Sequence, residues 1–320
     1  MTDIYDSIII GAGPAGMAAA LYNARDRFKT LVLEKFFPGG QILTTDRIEN
    51  YPGFENISGP DLVEKFKKQA ETFGAEIKTE EVKKITKLPD GNIEVNCGKK
   101  TFIGKSVIIA CGSDYRKLNV PGEAEFRNAG AGVSYCGTCD APFFKGKNVV
   151  AVGGGNTAVE EVLHVAKFAA RLTLVHRRQE FRATPVLVEE LMQKVNLPDG
   201  NIKLQLDSVI TAIEGDKKVE KVKVKNVKTN AEEYIPCDGV FIFVGTIPNT
   251  VFLKDFVDLT DEGFIKCDTG NLRTKVAGVF VAGDCRVGAA MQLATATGDG
   301  VNAAMMMKQY LRDPNWWNQG

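Results

Sequence analysis

The sequence predicts an α/β fold made of two Rossmann-like dinucleotide-binding domains, with the second domain inserted in the first. The main observation is that one order of elements occurs twice: an apolar strand, a glycine-rich turn, a helix and a further apolar strand, near the N-terminus and again from residue 147. This order is typical of dinucleotide-binding domains. After residue 248 the chain carries another glycine-ended apolar run and a helix of small residues, which we interpret as completing the first domain. We therefore assign residues 1–116 and 248–320 to the first domain and residues 117–247 to the second.

The composition is typical of a soluble globular protein. The chain has 320 residues, of which 44% are hydrophobic and 25% charged, and its formal net charge is +0. This length allows two domains that each bury a core, and the balanced charge gives no electrostatic reason to expect a nucleic acid or an anionic membrane as partner. No apolar run approaches the roughly 20 residues that span a bilayer, and no basic leader precedes Ile8. We expect a cytoplasmic protein without a signal peptide.

The first glycine turn is Gly11-Ala12-Gly13-Pro14-Ala15-Gly16, directly after the apolar residues 6–10. Three glycines at this spacing permit a tight turn, close approach of a pyrophosphate and close helix packing, and the N-terminus of the following helix favours phosphate. Residues 30–33 form the next strand, and Glu34 at its end is placed to accept hydrogen bonds from a ribose. A glycine turn without a ligand is the alternative interpretation. The strand, the helix and the carboxylate around this turn favour a nucleotide site.

The second glycine turn is Gly153-Gly154-Gly155-Asn156-Thr157-Ala158, after the strand of residues 147–152. Alanine replaces the last glycine, which still permits close packing. No carboxylate ends the next strand, residues 172–175, which leads instead into His176-Arg177-Arg178, with Arg182 shortly after. A carboxylate at this point favours a free ribose 2′-hydroxyl, whereas arginines bind a 2′-phosphate, so we expect NADPH rather than NADH. A solvated basic strand end is the alternative.

Two of the seven cysteines form a close pair in the segment Cys136-Gly137-Thr138-Cys139-Asp140. Cysteines at this spacing can close a small disulfide, and their proximity can favour the thiolate that disulfide exchange requires. Half of a zinc site is the alternative, but zinc needs four ligands, and the chain has no second close pair and only His164 and His176. We therefore expect no metal. The other cysteines are interpreted as small core residues: Cys97, Cys111, Cys237, Cys267 and Cys285.

Other segments indicate the elements between the two turns. A helix is predicted to begin at Pro60 and end at Gly74, and a buried strand covers Lys105–Ala110. Val219–Lys228 alternates valine with lysine, which favours a strand with one wet face, and we interpret it as a solvated edge strand. Proline and glycine indicate linkers at Lys117–Gly122 and Gly245–Asn249.

Further motifs identify a family. Together with the two glycine turns and the Cys-x-x-Cys-Asp pair, the segments Gly39-Gly40-Gln41, Glu49–Gly53 and Gly283-Asp284 make the chain similar to the low-molecular-weight thioredoxin reductases of bacteria and archaea. The resemblance covers nearly the whole chain. It implies an enzyme whose first domain binds FAD and whose second domain binds NADPH and carries a redox-active disulfide. It also implies a homodimer and, as substrate, thioredoxin or a similar small redox protein.

The motifs and the resemblance together give the expected site residues. The resemblance implies that Asp284 lies near the ribitol and pyrophosphate of FAD and that Gln41, Asn50 and Gln292 line the flavin, while a simple turn is the alternative for residues 50–53. The residues expected to bind FAD are Gly11, Gly13, Pro14, Ala15, Gly16, Glu34, Lys35, Gly39, Gly40, Gln41, Thr45, Asn50, Val82, Ala110, Gly112, Gly283, Asp284, Gln292 and Leu293. The residues expected to bind NADPH are Gly153, Gly155, Asn156, Thr157, His176, Arg177, Arg178 and Arg182. The residues expected to be catalytic are Cys136, Cys139 and Asp140.

The resemblance also implies a role for each residue of the redox pair. Cys139 is expected to face the flavin and Cys136 to attack the protein substrate, while Asp140 is a candidate for proton transfer to a departing thiolate or, alternatively, for capping the next turn. Electrons are expected to pass from NADPH to FAD, then to the Cys136–Cys139 disulfide, and then to the disulfide of thioredoxin. Since NADPH and the disulfide share one domain and FAD lies in the other, we expect the second domain to rotate about Lys117–Gly122 and Gly245–Asn249.

One departure from the family pattern keeps alternatives open. The family usually has Arg-Gln at the start of the last helix, whereas this chain has Met291-Gln292. A related branch takes electrons from ferredoxin instead of NADPH, although it generally lacks the arginine cluster as well. A flavin-dependent ferredoxin–NADP reductase would need no cysteine pair, and a non-enzymatic redox sensor would carry an inert disulfide. We predict a thioredoxin-disulfide reductase that uses NADPH and FAD.

Overall fold

The computed structural model describes residues 3–318 and divides the chain into two compact units. The first unit comprises the chain up to Asp114 and again from Ile247 onward, and the second unit comprises Tyr115–Thr246. The chain therefore leaves the first unit once, forms the second unit, and returns. Each unit contains a sheet with parallel central strands and flanking helices, and in the first unit the strands Lys84–Lys87 and Ile93–Asn96 add an antiparallel edge to that sheet.

The elements follow the predicted alternation of strands and helices. The strands are β1 (Ile4–Ile10), β2 (Thr30–Glu34), β3 (Glu76–Thr79), β4 (Lys84–Lys87), β5 (Ile93–Asn96), β6 (Thr101–Ile109), β7 (Ser113–Tyr115), β8 (Val133–Ser134), β9 (Asn148–Gly153), β10 (Arg171–Val175), β11 (Ile202–Gln205), β12 (Ser208–Glu214), β13 (Lys221–Asn226), β14 (Glu232–Pro236), β15 (Gly239–Phe243), β16 (Thr246–Pro248) and β17 (Val279–Val281). The helices are α1 (Pro14–Arg25), α2 (Gly59–Thr72), α3 (Glu123–Asn128), α4 (Gly137–Asp140), α5 (Asn156–Val165), α6 (Pro185–Val195) and α7 (Leu293–Arg312). Across residues 3–318, no helix has both the length and the apolar character needed to cross a membrane.

The sheet of the first unit has the strand order β3-β2-β1-β6-β5-β4, and β17 also pairs with β6. The central strand β1 runs parallel to β2 and β6, so that Ile8 lies opposite both Leu31 and Val107. These three side chains are fully buried. Strand β17 comes from the returning part of the chain and is also parallel to β6. The carboxyl ends of β1, β2, β6 and β17 therefore meet at one edge, where open α/β sheets bind ligands.

Small residues bring α1 and α7 into close contact. A side chain at Gly300 of α7 would collide with the carbonyl oxygen of Ala15 in α1, and Ala303 and Ala304 are buried. Alanine and glycine at these positions allow the two helix backbones to approach closely. The small-residue helix predicted near the C-terminus is thus explained by its packing on α1.

The second unit has a parallel sheet of strand order β11-β10-β9-β15-β8 and a separate antiparallel sheet of order β12-β13-β14. Strand β9 pairs with β10 on one side and β15 on the other, and its residues Val150 and Ala151 are fully buried. Helices α5 and α6 pack beside this sheet. The predicted α/β class with two Rossmann-like sheets is confirmed.

The predicted edge position of the valine–lysine strand is wrong. Strand β13 lies in the middle of its sheet, between β12 and β14. Val222 and Val224 are buried, while Lys221 and Lys223 form ion pairs with Glu214 and Glu232 on the neighbouring strands. Alternation reports that one face is buried and the other wet, and it does not distinguish a central strand from an edge strand.

The chain crosses between the units through two short strands. Strands β7 and β16 contain the two crossings and pair with each other. Residues 117–122, which we predicted as a linker, lie inside the second unit. The buried carboxylate of Glu123 accepts hydrogen bonds from the backbone N–H groups of Leu118, at 3.0 Å, and Asn119, at 2.6 Å. Proline and glycine indicate a turn here. The turn is held by the carboxylate of Glu123, a residue that belongs to no sequence motif.

Candidate active site

The first glycine turn (residues 11–16) contains glycines of two kinds. Side chains at Gly11 and Gly16 would collide with the carbonyl oxygens of Ala110 and Gly11, so the fold itself requires glycine at both positions. A Cβ atom at Gly13 would meet nothing within 4 Å, and the φ of −73° suits any residue. The fold therefore leaves Gly13 unexplained, whereas a pyrophosphate approaching the N-terminus of α1 explains it.

Glu34 is held against this turn. One carboxylate oxygen accepts the backbone N–H of Ala12 at 2.8 Å, and the other accepts that of Phe36 at 3.2 Å. Carboxylate oxygens can accept further hydrogen bonds, which a ribose would donate. Lys35 is exposed and forms an ion pair with Glu81 at 3.0 Å. Val82 follows with its side chain buried in the core of the first unit.

The loop at residues 39–45 lies beside the first glycine turn. The N–H of Gly39 donates to the carbonyl of Ala12 at 2.8 Å, and a Cβ at Gly40 would lie 3.4 Å from the Cα of Gly13. The amide of Gln41 donates to the carbonyl of Ser113. At the end of the loop, the carbonyl of Thr45 accepts the N–H of Gly59 at 2.8 Å.

The returning part of the chain reaches the same place. A Cβ at Gly283 would lie 3.0 Å from the Cβ of Ala15, and the Gly283 N–H donates to Asp299 at 3.0 Å. Asp299 forms a two-bond ion pair with Arg286, at 2.6 and 2.9 Å. This pair fixes the segment that carries Asp284, and sequence reasoning missed it because its two residues belong to no motif.

The Asp284 carboxyl has an unusual environment. Burial, with a smaller contribution from the nearby Asp299 carboxylate, raises the pKa of Asp284 to about 6. Within residues 3–318 its carboxylate accepts no hydrogen bond and forms no ion pair. The side chain is half-buried, and a carboxylate partly removed from water favours a polar partner. The hydroxyl groups of a bound ribitol would supply one.

The remaining residues expected at FAD lie around the same edge of the sheet. Ala110 and Gly112 follow β6 directly, and the amide of Asn50 donates to Gln292 at 3.5 Å, next to Leu293 at the start of α7. Ser113, which sequence reasoning missed, has a buried hydroxyl with no hydrogen-bond partner in the described chain. The cradle at Gly13, the unpartnered Asp284 carboxylate and this hydroxyl fit a large polar ligand such as FAD.

The second glycine turn (residues 153–158) repeats this division. Side chains at Gly153 and Gly154 would collide with Ala158 and with the ring of His176. A Cβ at Gly155 would meet nothing within 4 Å, and its φ of −96° again suits any residue. The turn precedes α5, which begins at Asn156. The open position therefore fits a second pyrophosphate.

The residues of the basic cluster have two different environments. His176 is 6% exposed, its ring stacks on Phe181 at 4.8 Å, and its Nε2 lies 3.0 Å from the carbonyl of Glu180. The His176 ring packs against Gly154 of the second glycine turn. By contrast, Arg177, Arg178 and Arg182 are exposed.

Hydrogen bonds join Gly154 and Asn156 of this turn to the segment that carries Arg182. The N–H of Arg182 donates to the carbonyl of Gly154 at 2.7 Å, and the side-chain oxygen of Asn156 accepts the N–H of Thr184 at 2.8 Å. Thr157 is exposed at the start of α5. These bonds hold the arginine-bearing segment beside the turn, as a 2′-phosphate site requires.

Cys136 and Cys139 are joined by a disulfide, with their Cα atoms 5.3 Å apart. Cys136 precedes the short helix α4, and its sulfur accepts the N–H of Cys139 at 3.1 Å. The buried Ser134 hydroxyl accepts the N–H of Cys136 at 3.1 Å and donates to the Asp140 carboxylate at 2.6 Å. Asp140 makes no side-chain cap to the turn that follows it. Its carboxylate is thus held beside the disulfide.

Sequence reasoning missed Glu161, a residue of α5 that contacts this pair. Its carboxylate accepts the backbone N–H of Thr138 at 3.0 Å and lies within 3.2 Å of the Thr138 hydroxyl. A side chain at Gly137 would collide with the same carboxylate. The glycine between the cysteines was the available signal, because it leaves room for a neighbouring group.

The other cysteines have the properties of core residues. Burial raises the pKa of Cys97 and Cys267 to about 11 and that of Cys237 to about 12, while a hydrogen bond with Cys285 and burial raise that of Cys111 well above its ordinary value. They stay protonated near neutral pH, so they exchange slowly. In the described part of the chain, no three His, Cys, Asp or Glu side chains are placed to hold a metal ion.

Comparisons with known proteins identify the family. The family model of the pyridine nucleotide-disulphide oxidoreductases matches residues 5–300. The thioredoxin reductase of Listeria monocytogenes is 42% identical over 97% of this chain and 95% of its own length, and that of Bacillus subtilis is 40% identical over 97% and 96%. The crystal structure of thioredoxin reductase from Streptococcus pyogenes has a TM-score of 0.90 at 40% identity, covering 98% of this chain and 99% of that one. The chain therefore belongs to the pyridine nucleotide-disulphide oxidoreductase family and, within it, to the low-molecular-weight thioredoxin reductases, as its motifs indicated.

Proposed function

We propose that this protein is a thioredoxin-disulfide reductase that uses NADPH and FAD. The observation that carries the proposal is the Cys136–Cys139 disulfide in the unit that also contains the second glycine turn. The Asp140 carboxylate, hydrogen-bonded to Ser134, adjoins it. Similarity to thioredoxin reductases over nearly the whole chain supports the same activity. Thioredoxin, or a similar small redox protein, is the substrate.

FAD is assigned to the first unit. Gly13, Glu34 and Asp284 would hold its pyrophosphate, ribose and ribitol, and the loop with Gln41 together with Asn50 would flank the flavin. When bound, FAD accepts a hydride from NADPH and delivers two electrons to a disulfide. The open position at Gly13 and the unpartnered Asp284 support this assignment.

NADPH is assigned to the second unit. The open backbone at Gly155 would receive the pyrophosphate. Arg177, Arg178 and Arg182 are exposed after β10, where NAD-dependent domains usually carry a carboxylate, and their guanidinium groups suit a 2′-phosphate. His176 would act by supporting the turn, because its ring is packed under Gly154.

The reduced pair would transfer its electrons by two exchanges. The Cys136 thiolate attacks one sulfur of the substrate disulfide, so that a Cys136–substrate disulfide forms and the other substrate sulfur leaves as a thiolate. Cys139 then loses its proton and attacks Cys136, which restores the Cys136–Cys139 disulfide and releases the second substrate sulfur. Asp140, held by Ser134, is the carboxylate available to take the Cys139 proton and pass it to the leaving thiolate. The substrate thus receives two electrons and the Cys139 proton from the pair, and its other thiolate takes a proton from solvent, where Cys136 released its own on forming the thiolate.

The test separates the two halves of the reaction. Anaerobic holoenzyme mixed with NADPH should lose its visible flavin absorbance promptly, and NADPH should then support thioredoxin reduction. The double variant Cys136→Ser, Cys139→Ser should keep the first reaction and lose the second. Thioredoxin reduction by that variant would contradict the assignment of the pair.

One observation supports a second candidate function with a different electron donor. Met291 stands where the family usually has arginine, and a ferredoxin-dependent disulfide reductase would need no nicotinamide contact there. The exposed arginines after β10 oppose this alternative. Flavin that bleaches with reduced ferredoxin but stays oxidised with NADPH would favour it.

We further infer a cytoplasmic homodimer. The family resemblance supports the dimer, and the free thiols at five positions suit a reducing compartment. Light scattering of the purified protein measures its mass directly. A single-chain mass at micromolar concentration would contradict the dimer.

A further inference from the structure

The disulfide lies beside a second carboxylate that the proposed exchange chemistry does not use. Glu161, from α5, receives the N–H of Thr138 at 3.0 Å, and its other oxygen lies 3.2 Å from the Thr138 hydroxyl. Both contacts are to Thr138, one of the two residues between the cysteines. Only glycine at position 137 leaves space for this approach, because a Cβ there would collide with the carboxylate.

The contact between Glu161 and Thr138 places a carboxylate on the turn between the two cysteines. When the disulfide is reduced, the Cys136 thiolate adds a second negative charge to this turn. The neighbouring N–H, that of Cys139, donates to the Cys136 sulfur at 3.1 Å, and the next, that of Asp140, donates to the Cys136 carbonyl at 3.1 Å. A Cys136 thiolate would therefore be stabilised by one N–H, while the Glu161 carboxylate holds the adjacent one. Both groups accept hydrogen bonds from the same short turn, so their negative charges oppose each other.

This charge bears on the redox equilibrium of the pair. Reduction adds two electrons to the disulfide, breaks the S–S bond and takes up two protons, or one proton if a thiolate remains. The disulfide carries no charge and the thiolate does, so a nearby carboxylate destabilises only the reduced form. A reduced form that is destabilised gives up its electrons more readily, whereas a stabilised thiolate makes an oxidant.

We propose that Glu161 is a positioning residue that keeps the Cys136–Cys139 couple strongly reducing, by holding a carboxylate against the turn on which the Cys136 thiolate forms. The inference rests on the proposed function only in taking this pair as redox-active. A strongly reducing couple suits an enzyme that must pass electrons on to a protein disulfide.

The other charged groups around the pair are few. Asp140, on the same short helix, accepts the Ser134 hydroxyl at 2.6 Å. Residues 141–144, which follow, carry no titratable side chain. From α5, Glu161 contacts the turn, while Glu160 is exposed and has no hydrogen-bond or ion-pair partner among residues 3–318. Val165 and Phe243, which also lie against Gly137, are uncharged.

Glu160 supplies a matched control, since it is the adjacent residue of the same helix with the same charge. Holoenzymes of the wild type, Glu161→Gln and Glu160→Gln are equilibrated anaerobically in dithiothreitol redox buffers, quenched with acid and alkylated. Mass spectrometry of the peptide with Cys136 and Cys139 then gives the dithiol fraction. We expect Glu161→Gln to shift the equilibrium about tenfold toward the dithiol, a potential about 30 mV less negative, and Glu160→Gln to stay within about twofold of wild type.

A second readout follows the charge on the sulfur itself. In a Cys139→Ser background, the rate of Cys136 alkylation is measured against pH. We expect its midpoint to fall by about one pH unit when Glu161→Gln is added. If the protein that carries both substitutions does not fold, the Cys139→Ser protein alone still tests the proposal. An alkylation midpoint below about pH 7 in that protein would mean that its surroundings stabilise the Cys136 thiolate, which contradicts the proposal.

The outcomes separate this inference from the proposed function. A pair that no buffer reduces in wild-type protein contradicts both. A wild-type pair that is reduced normally, with Glu161→Gln and wild type at the same potential, contradicts the role of Glu161 and leaves the thioredoxin reductase assignment intact. A shift of equal size in both glutamine variants has the same meaning, because it would be a general effect of charge on α5.

Discussion

The open glycine of the second turn allows the nucleotide site to be tested apart from the fold. Gly155→Ala places a Cβ where the structure has no atom within 4 Å, at a φ of −96° and a ψ of 180° that alanine adopts freely. Alanine also restricts the unfolded chain, so the variant should be more stable than wild type by about 0.5 kcal/mol. If a pyrophosphate lies against this glycine, the same methyl group obstructs it, at a cost of about 1–3 kcal/mol. The KM for NADPH should then rise about 5- to 150-fold.

The assay compares two measurements on the same protein. Urea unfolding without NADPH gives the free energy of unfolding, and steady-state flavin reduction gives the KM. Gly298→Ala is the control, since Gly298 also faces open space but lies in helix α7, where alanine should add about 1 kcal/mol without changing the KM. An unchanged KM in Gly155→Ala, or a loss of stability comparable to a core defect, would refute the argument that this glycine serves a ligand.

Three further predictions concern charge. Replacing Arg177 and Arg178 with glutamine should raise the KM for NADPH about tenfold and leave that for NADH unchanged, which steady-state kinetics with both nucleotides would show. The pKa of Asp284, raised to about 6 from 3.8, means that the folded protein binds this proton more tightly, so stability is lost as pH rises from about 4 to 6. Asp284→Asn should therefore stabilise flavin-free protein by up to about 3 kcal/mol at pH 8 and have little effect below pH 4, as measured by urea unfolding; equal effects at both pH values would contradict this. Glu123→Ala leaves the backbone N–H groups of residues 118–120 and the Tyr135 hydroxyl without their acceptor and should cost about 3 kcal/mol in urea unfolding, against about 1 kcal/mol for Tyr135→Phe.

The parts of the site that follow from short sequence motifs could be predicted. Each glycine turn lies between a strand and a helix, so local spacing gives its position at the edge of the sheet. The sequence does not separate glycines that the fold requires from those that it leaves free. Gly11 and Gly13 look equivalent in the motif, and only their surroundings show that Ala110 excludes a side chain at one and nothing excludes it at the other.

Contacts between distant segments could not be predicted. Glu123 appears in sequence as an ordinary residue at the start of a helix, yet its buried carboxylate fixes residues 118–120 and accepts the Tyr135 hydroxyl at 2.7 Å. The strand alternation in β13 likewise gave its buried face and not its neighbours. Periodicity reports the environment of one segment, whereas partners depend on how the chain folds back.

The two carboxylates at the redox pair show why both kinds of information are needed. Asp140, the proposed proton carrier, follows Cys139 directly, and since such a group must lie close to the sulfur, a short motif is enough to predict it. Glu161 acts through its charge and through one backbone N–H, so it can come from any element that packs on the turn, and no spacing rule applies to it. The helix that begins at the nucleotide turn is the element that supplies it. The same helix therefore has its N-terminus at the glycine turn and a carboxylate at the disulfide, so under the two proposals the position of α5 would affect both nucleotide binding and the reducing power of the pair.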